Sequence, residues 1–192
     1  MPSTYTTRNG IELIATGEQS GTWGDTTNTN LQIIDRVLSG VGTITLSGTT
    51  HTLTTTDGTL SDGMYKVLVL AGSPSGTNTI TISPNDAQKL YFVQNSSGQS
   101  AVFTQGSGGN VTIANGDSKI IYADGGGAGA QVSDLTANFA MSSVNITGGS
   151  ISGIADLAVA DGGTGASTAA GARANLDVDQ AGTAVALAIA LG

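Results

Sequence analysis

From Met64 to Ala123, short runs in which β-branched and aromatic residues alternate with polar ones are separated by turn sequences. The alternation predicts strands at Tyr65–Leu70, Thr79–Ile82, Lys89–Val93, Ala101–Thr104, Asn110–Ile113 and Ser118–Tyr122. Each gap carries turn chemistry: Ser73-Pro74-Ser75-Gly76, Ser83-Pro84-Asn85-Asp86, Asn95-Ser96-Ser97-Gly98, Gly106-Ser107-Gly108-Gly109 and Asn115-Gly116. Short strands at this spacing predict an antiparallel β-sandwich or barrel. Val67–Leu70 and Leu90–Val93 are apolar at successive positions, which predicts central strands covered on both faces. Asn115-Gly116, between Ile113 and Ile120, predicts a hairpin turn.

The flanks have other periods. Leu31, Ile34 and Leu38 lie on one helical face with Ile33 and Val37 beside them, predicting a short helix over Thr27–Ser39 capped by Asp25-Thr26-Thr27 and stopped at Gly40. Val41–Leu60 is Thr-rich and alternating, as a half-buried strand would be. Asp124–Ala130 reads as a flexible hinge. Beyond it, Val144, Ile146, Ile151 and Ile154 alternate with small polar residues and glycine, with nothing bulky nearby in sequence to cover them. Copies of the chain intertwined around a common axis would bury them, which makes this stretch a shaft. Ser167–Leu176 predicts a short helix begun by Ser167 or Thr168, and Ala181–Leu191 is almost wholly Ala, Val, Leu and Ile. An exposed apolar end of that kind marks a contact site, with Leu187, Ile189 and Leu191 as its large residues.

The expected fold is therefore mainly β, with a short N-terminal helix, a central antiparallel sandwich or barrel, and a Gly-rich, homotrimeric β shaft with short helices. Its domains are residues 1–40, an N-terminal anchoring segment; 41–134, the β domain; and 135–192, the shaft and apolar end.

Composition changes this picture in one way. Charged residues are 10% of the 192 and glycines number 29, against roughly 25% charged in an average domain. So little charge and so few aromatics suit thin β structure and interfaces shared between chains. The net charge of −8 and the scattering of Arg8, Arg36, Lys66, Lys89, Lys119 and Arg173 leave no basic patch for nucleic acid. With no Cys there is neither a disulfide framework nor a thiolate metal site. The N-terminus lacks the apolar core of a secretory signal, and Ala181–Leu191 is shorter than the ~20 residues that span a bilayer, so membrane insertion is not expected.

Candidate chemistry is thin. His51 has no second His and no Cys to join it, and a surface role on a Thr-rich strand is its ordinary reading. Gly125-x-Gly127-x-x-Ala130 imitates a dinucleotide fingerprint, but no long amphipathic helix follows and position 145 is Asn where an acidic residue is needed. Asp161-Gly162-Gly163-Thr164-Gly165 lacks the Lys-Ser/Thr of a phosphate loop. Asp57, Asp117, Asp124 and Asp161 sit beside glycines, where turn formation is their usual work. No catalytic residue, metal site or cofactor is expected. Trp23, between Gly21 and Gly24, would pack on the following helix, serve as a docking anchor, or do both.

Two stretches carry a resemblance. Val159-Ala160-Asp161-Gly162-Gly163-Thr164-Gly165-Ala166-Ser167-Thr168-Ala169-Ala170-Gly171-Ala172-Arg173-Ala174-Asn175-Leu176 resembles a segment that recurs in bacteriophage tail fibres. Residues 9–36, through Gly17–Gly24 and Leu31–Arg36, resemble the N-terminal region of fibre-like proteins of marine and cyanobacterial phages. The resemblance implies a virion structural protein, a tail fibre or fibre adaptor of the phage tail, assembled in the host cytoplasm as a homotrimer. It would attach through Trp23, Leu31, Ile34 and Leu38 to other tail or portal-proximal proteins. Val144, Ile146, Ile151, Ile154, Leu187, Ile189 and Leu191 would join the copies or grip a distal fibre subunit, with the host surface as a further partner. A capsid decoration protein is the alternative, and a glycan-binding or glycan-degrading spike, which needs paired carboxylates in a cleft, comes after it.

Overall fold

The computed structural model describes residues 2–137, 163–178 and 183–192. The chain divides into two compact units, Met1–Ala140 and Met141–Gly192.

In the first unit β1 (Thr4–Tyr5) pairs antiparallel with β2 (Glu12–Leu13), and α1 (Trp23–Ser39) follows. The chain then lays down β3 (Val41–Leu46), β4 (Thr50–Thr54), β5 (Val67–Gly72), β6 (Asn78–Ser83), β7 (Lys89–Asn95) and β8 (Ala101–Thr104). It ends with β9 (Val111–Ile113), β10 (Ser118–Ala123) and β11 (Val132–Asp134). Two sheets face each other, a five-stranded one ordered β11-β10-β7-β5-β3 and a four-stranded one ordered β4-β6-β8-β9. Their inward residues make one core, Ile44, Leu46, Leu68, Leu70, Tyr91, Val93 and Ile121 from the first against Leu53, Ile80, Ile82, Phe103, Val111 and Ile113 from the second. The fold is a mainly β sandwich, and neither sheet closes into a barrel.

The antiparallel expectation fails over half of the structure. β3, β5 and β7 run parallel to one another, as do β4, β6 and β8; only β7–β10, β10–β11 and β8–β9 are antiparallel within the sandwich. The reason lies in the connections. From β3 to β8 each turn carries the chain across to the opposite sheet, so the next strand in a given sheet re-enters in the same direction. The hairpin expected at Asn115-Gly116 is likewise a crossing, because β9 and β10 belong to different sheets.

The glycine run is not a hinge. Asp124 Oδ1 accepts the N–H groups of Gly126 and Gln131, at 2.9 and 3.0 Å, and Gly125 N donates to Gln105 Oε1 at 3.0 Å. These backbone donors, Gln131's first, hold the Asp124 carboxyl below its ordinary pKa. Gly125 has φ +66°, and a Cβ there would fall 2.6 Å from the Asp86 carbonyl oxygen, so only glycine fits. The segment then enters β11, which Lys119 ties to β10 through Asp134 Oδ2 at 2.8 Å.

The helix begins at Trp23, four residues before the predicted start. Thr22 precedes it, with no side-chain cap bond. Gln19 does the capping work instead, its carbonyl accepting Trp23 N at 2.8 Å and its Oε1 accepting the Thr22 and Thr26 hydroxyls. In the second unit α2 (Ala169–Asn175) starts as expected, Thr168 Oγ1 accepting Gly171 N at 3.0 Å, and α3 (Thr183–Leu191) follows. Asn175 Nδ2 donates to the carbonyls of Thr164 and Gly165, folding the Gly-rich segment back on α2. Val144, Ile146, Ile151 and Ile154, and with them the expected shaft, lie outside the described residues.

Candidate functional site

α1 is fixed to its unit by residues that flank the Leu31, Ile34 and Leu38 face. Ile33 is fully buried, and Asn30 clasps β2 by accepting Glu12 N and donating to Glu12 O, both at 2.9 Å. At the C-terminal end Arg36 lies 4.5 Å over the Tyr65 ring and donates to Ser61 O. Tyr65 in turn fills the space above Gly42, where a Cβ would meet the ring at 2.2 Å. Trp23, Leu31, Ile34 and Leu38 are left in solvent at 61, 58, 39 and 71% exposure. Packing of Trp23 on the helix is thus not what forms; the indole opens the helix and points outward. At about 100° per residue these four side chains fall within one stripe of roughly 80°.

The apolar surface extends onto the five-stranded sheet. Its register sets Val41, Val67, Phe92 and Ile120 opposite one another on four adjacent strands. All four are on the outward face, Val41 62% and Phe92 41% exposed. The expectation that β5 and β7 are covered on both faces is therefore incorrect: their inner residues are buried and their outer ones are not. The corresponding face of the four-stranded sheet is polar, with Thr52, Thr81 and Thr104 in register. In the second unit Leu187, Ile189 and Leu191 are 60, 77 and 80% exposed along α3.

Sequence reading missed two groupings of polar residues. His51 has a partner after all: its Nε2 lies 3.0 Å from Asp62 Oδ2, while Asp62 Oδ1 accepts Thr54 N at 2.8 Å. Among the described residues no cluster of three metal-ligating side chains occurs. The pair fastens β4 to the turn at Asp62–Met64, under which Tyr91 donates its hydroxyl to Gly63 O at 2.7 Å. Burial, reinforced by the nearby Asp62 charge, raises the Tyr91 pKa.

The second grouping corrects the view that the basic residues are scattered. Arg8, Lys66 and Lys89 all line one cavity of about 250 Å³. Lys89 is 7% exposed, and its Nζ donates to Asn9 Oδ1 at 3.1 Å. Burial lowers its pKa from 10.5 to about 8. In the unfolded chain it keeps its proton to about 10.4, so between those values the unfolded state binds more protons and folding stability rises with pH. From pH 8 to 9.5 Lys89 is expected to add about 1.5 kcal/mol. Urea unfolding of the wild type and Lys89→Met across this range checks it: the rise should vanish in the variant.

Compared with known proteins, the chain matches no family model, no curated protein and no solved structure.

Proposed function

We propose that this chain is a structural subunit of a bacteriophage particle, a trimeric tail fibre or fibre adaptor anchored by α1. The observation that carries the reading is the stripe of Trp23, Leu31, Ile34 and Leu38, uncovered on a helix that Ile33 and Asn30 fix to its unit. A Trp and three large aliphatics held in solvent on a rigid element form a ready-made interface core. The apolar row across the outer sheet face and the exposed side chains of α3 support the same reading. A chain this poor in charge keeps these surfaces soluble by burying them against other chains. The resemblance of residues 9–36 and 159–176 to phage fibre segments supplies the kind of assembly.

Light scattering of the purified full-length protein tests the homotrimer. A mass near three times 18.9 kDa is expected. A monomer at every concentration would remove self-association from the proposal and favour attachment to the shell as a decoration protein.

A further inference from the structure

A lysine side chain buried beside one amide oxygen is an anomaly. Lys89 carries three N–H donors, one engaged by Asn9 Oδ1, and among the described residues no carboxylate lies within salt-bridge distance of it. Buried ammonium groups are ordinarily paired, because desolvation costs several kcal/mol per ion. The nearby carboxylates have other roles. Asp62 is committed to His51 and the Thr54 amide, and Asp86 lines the adjoining chamber of about 560 Å³ rather than the Lys89 cavity. Arg8, Asn9 and Gln88 form the wall common to both spaces, with Arg8 Nε held by Gln88 Oε1 at 2.8 Å.

We infer that the cavity lined by Arg8, Lys66 and Lys89 binds a carboxylate carried on a small polyhydroxylated ring, that of an acidic sugar. Three cations from distant parts of the chain line the cavity and supply the charge for the carboxylate, and Lys89, whose Nζ has one hydrogen bond among the described residues, brings further N–H donors. Asn9 and Gln88 bring amides suited to hydroxyl groups. Tyr122 adds an aromatic ring to the lining, against which the C–H face of a sugar can lie. The volume lies just below the ~300–1,000 Å³ of common ligand pockets, which suits one ring. The site lies apart from the α1 stripe, so it stands or falls independently of the anchoring proposal.

Calorimetric titration of the full-length protein with glucuronate, and with glucose as its uncharged counterpart, tests the site. Glucuronate is expected to bind and glucose to bind at least roughly tenfold more weakly, the effect of losing one charge-assisted contact. Lys89→Met should abolish the preference, and Arg8→Gln, on the exposed N-terminal arm and harmless to the core, should reduce it. Equal affinity for the two sugars, no heat with either at millimolar concentration, or undiminished glucuronate binding in both variants would overturn the assignment.

Discussion

An Asn95→Leu variant is expected to lose about 4 kcal/mol of folding stability, melting roughly 15 °C lower. Asn95 ends β7 with its side chain fully buried and every hydrogen-bonding position used. Its Nδ2 donates to Gln99 O at 2.8 Å and to Ile113 O at 2.9 Å, while its Oδ1 accepts Ser97 N and Ser97 Oγ at 3.2 and 2.8 Å. One amide therefore shapes the turn after β7 and ties it to the end of β9 in the other sheet. Leucine matches its branching but strands the Ile113 carbonyl and the Ser97 N–H, each costing about 1–3 kcal/mol if left without a partner, while the Ser97 hydroxyl keeps its bond to Gln99 O at 3.2 Å. Urea denaturation at constant m-value measures the loss. A loss below about 1 kcal/mol would mean that water enters the turn and replaces the amide.

Asn95 also shows what the sequence makes legible and what it hides. Its turn was visible, because Asn-Ser-Ser-Gly between apolar runs is local chemistry. The strand positions were visible for the same reason: Ala101–Thr104 forms as predicted and the other central strands differ by a residue or two at their ends. Strand direction was not. Alternation fixes which side chains face inward, but it is identical for a hairpin and for a crossing to the opposite sheet. The usable signal lay at longer range: Thr50-His51-Thr52 and Thr79-Ile80-Thr81 align in parallel register, as do Val41, Val67 and Phe92. That recurrence, every ~27 residues, is the range of stacked repeats. On α1 five apolar residues cover too wide an arc for any one of them to announce the core. What chose Ile33 was the Asn30–Glu12 clasp, a contact across the chain. The basic cavity was hidden in the same way, since Arg8, Lys66 and Lys89 come together only once the N-terminal arm reaches the start of β7.

The largest expected effect on assembly comes from placing charge on the α1 stripe. Leu31→Asp with Leu38→Asp should leave the unit folded, because both side chains are exposed and neither belongs to the core. The buried face, with Ile33 and the Asn30 clasp, is unchanged. In the proposed assembly each aspartate would be desolvated against an apolar partner surface, without a cation to pair it. That costs several kcal/mol per group, so incorporation into particles should fall by roughly a hundredfold or more, as a loss of about 3 kcal/mol implies. Trp23→Ala, which deletes an anchor without adding charge, should lose roughly 2 kcal/mol, or about thirtyfold. Circular dichroism and melting temperature separate this from unfolding: both variants should match the wild type as free proteins. If the double variant is incorporated normally, the stripe is not the anchor. The apolar row of Val41, Val67, Phe92 and Ile120, on the sheet that α1 leads into, would then be the surface to charge next.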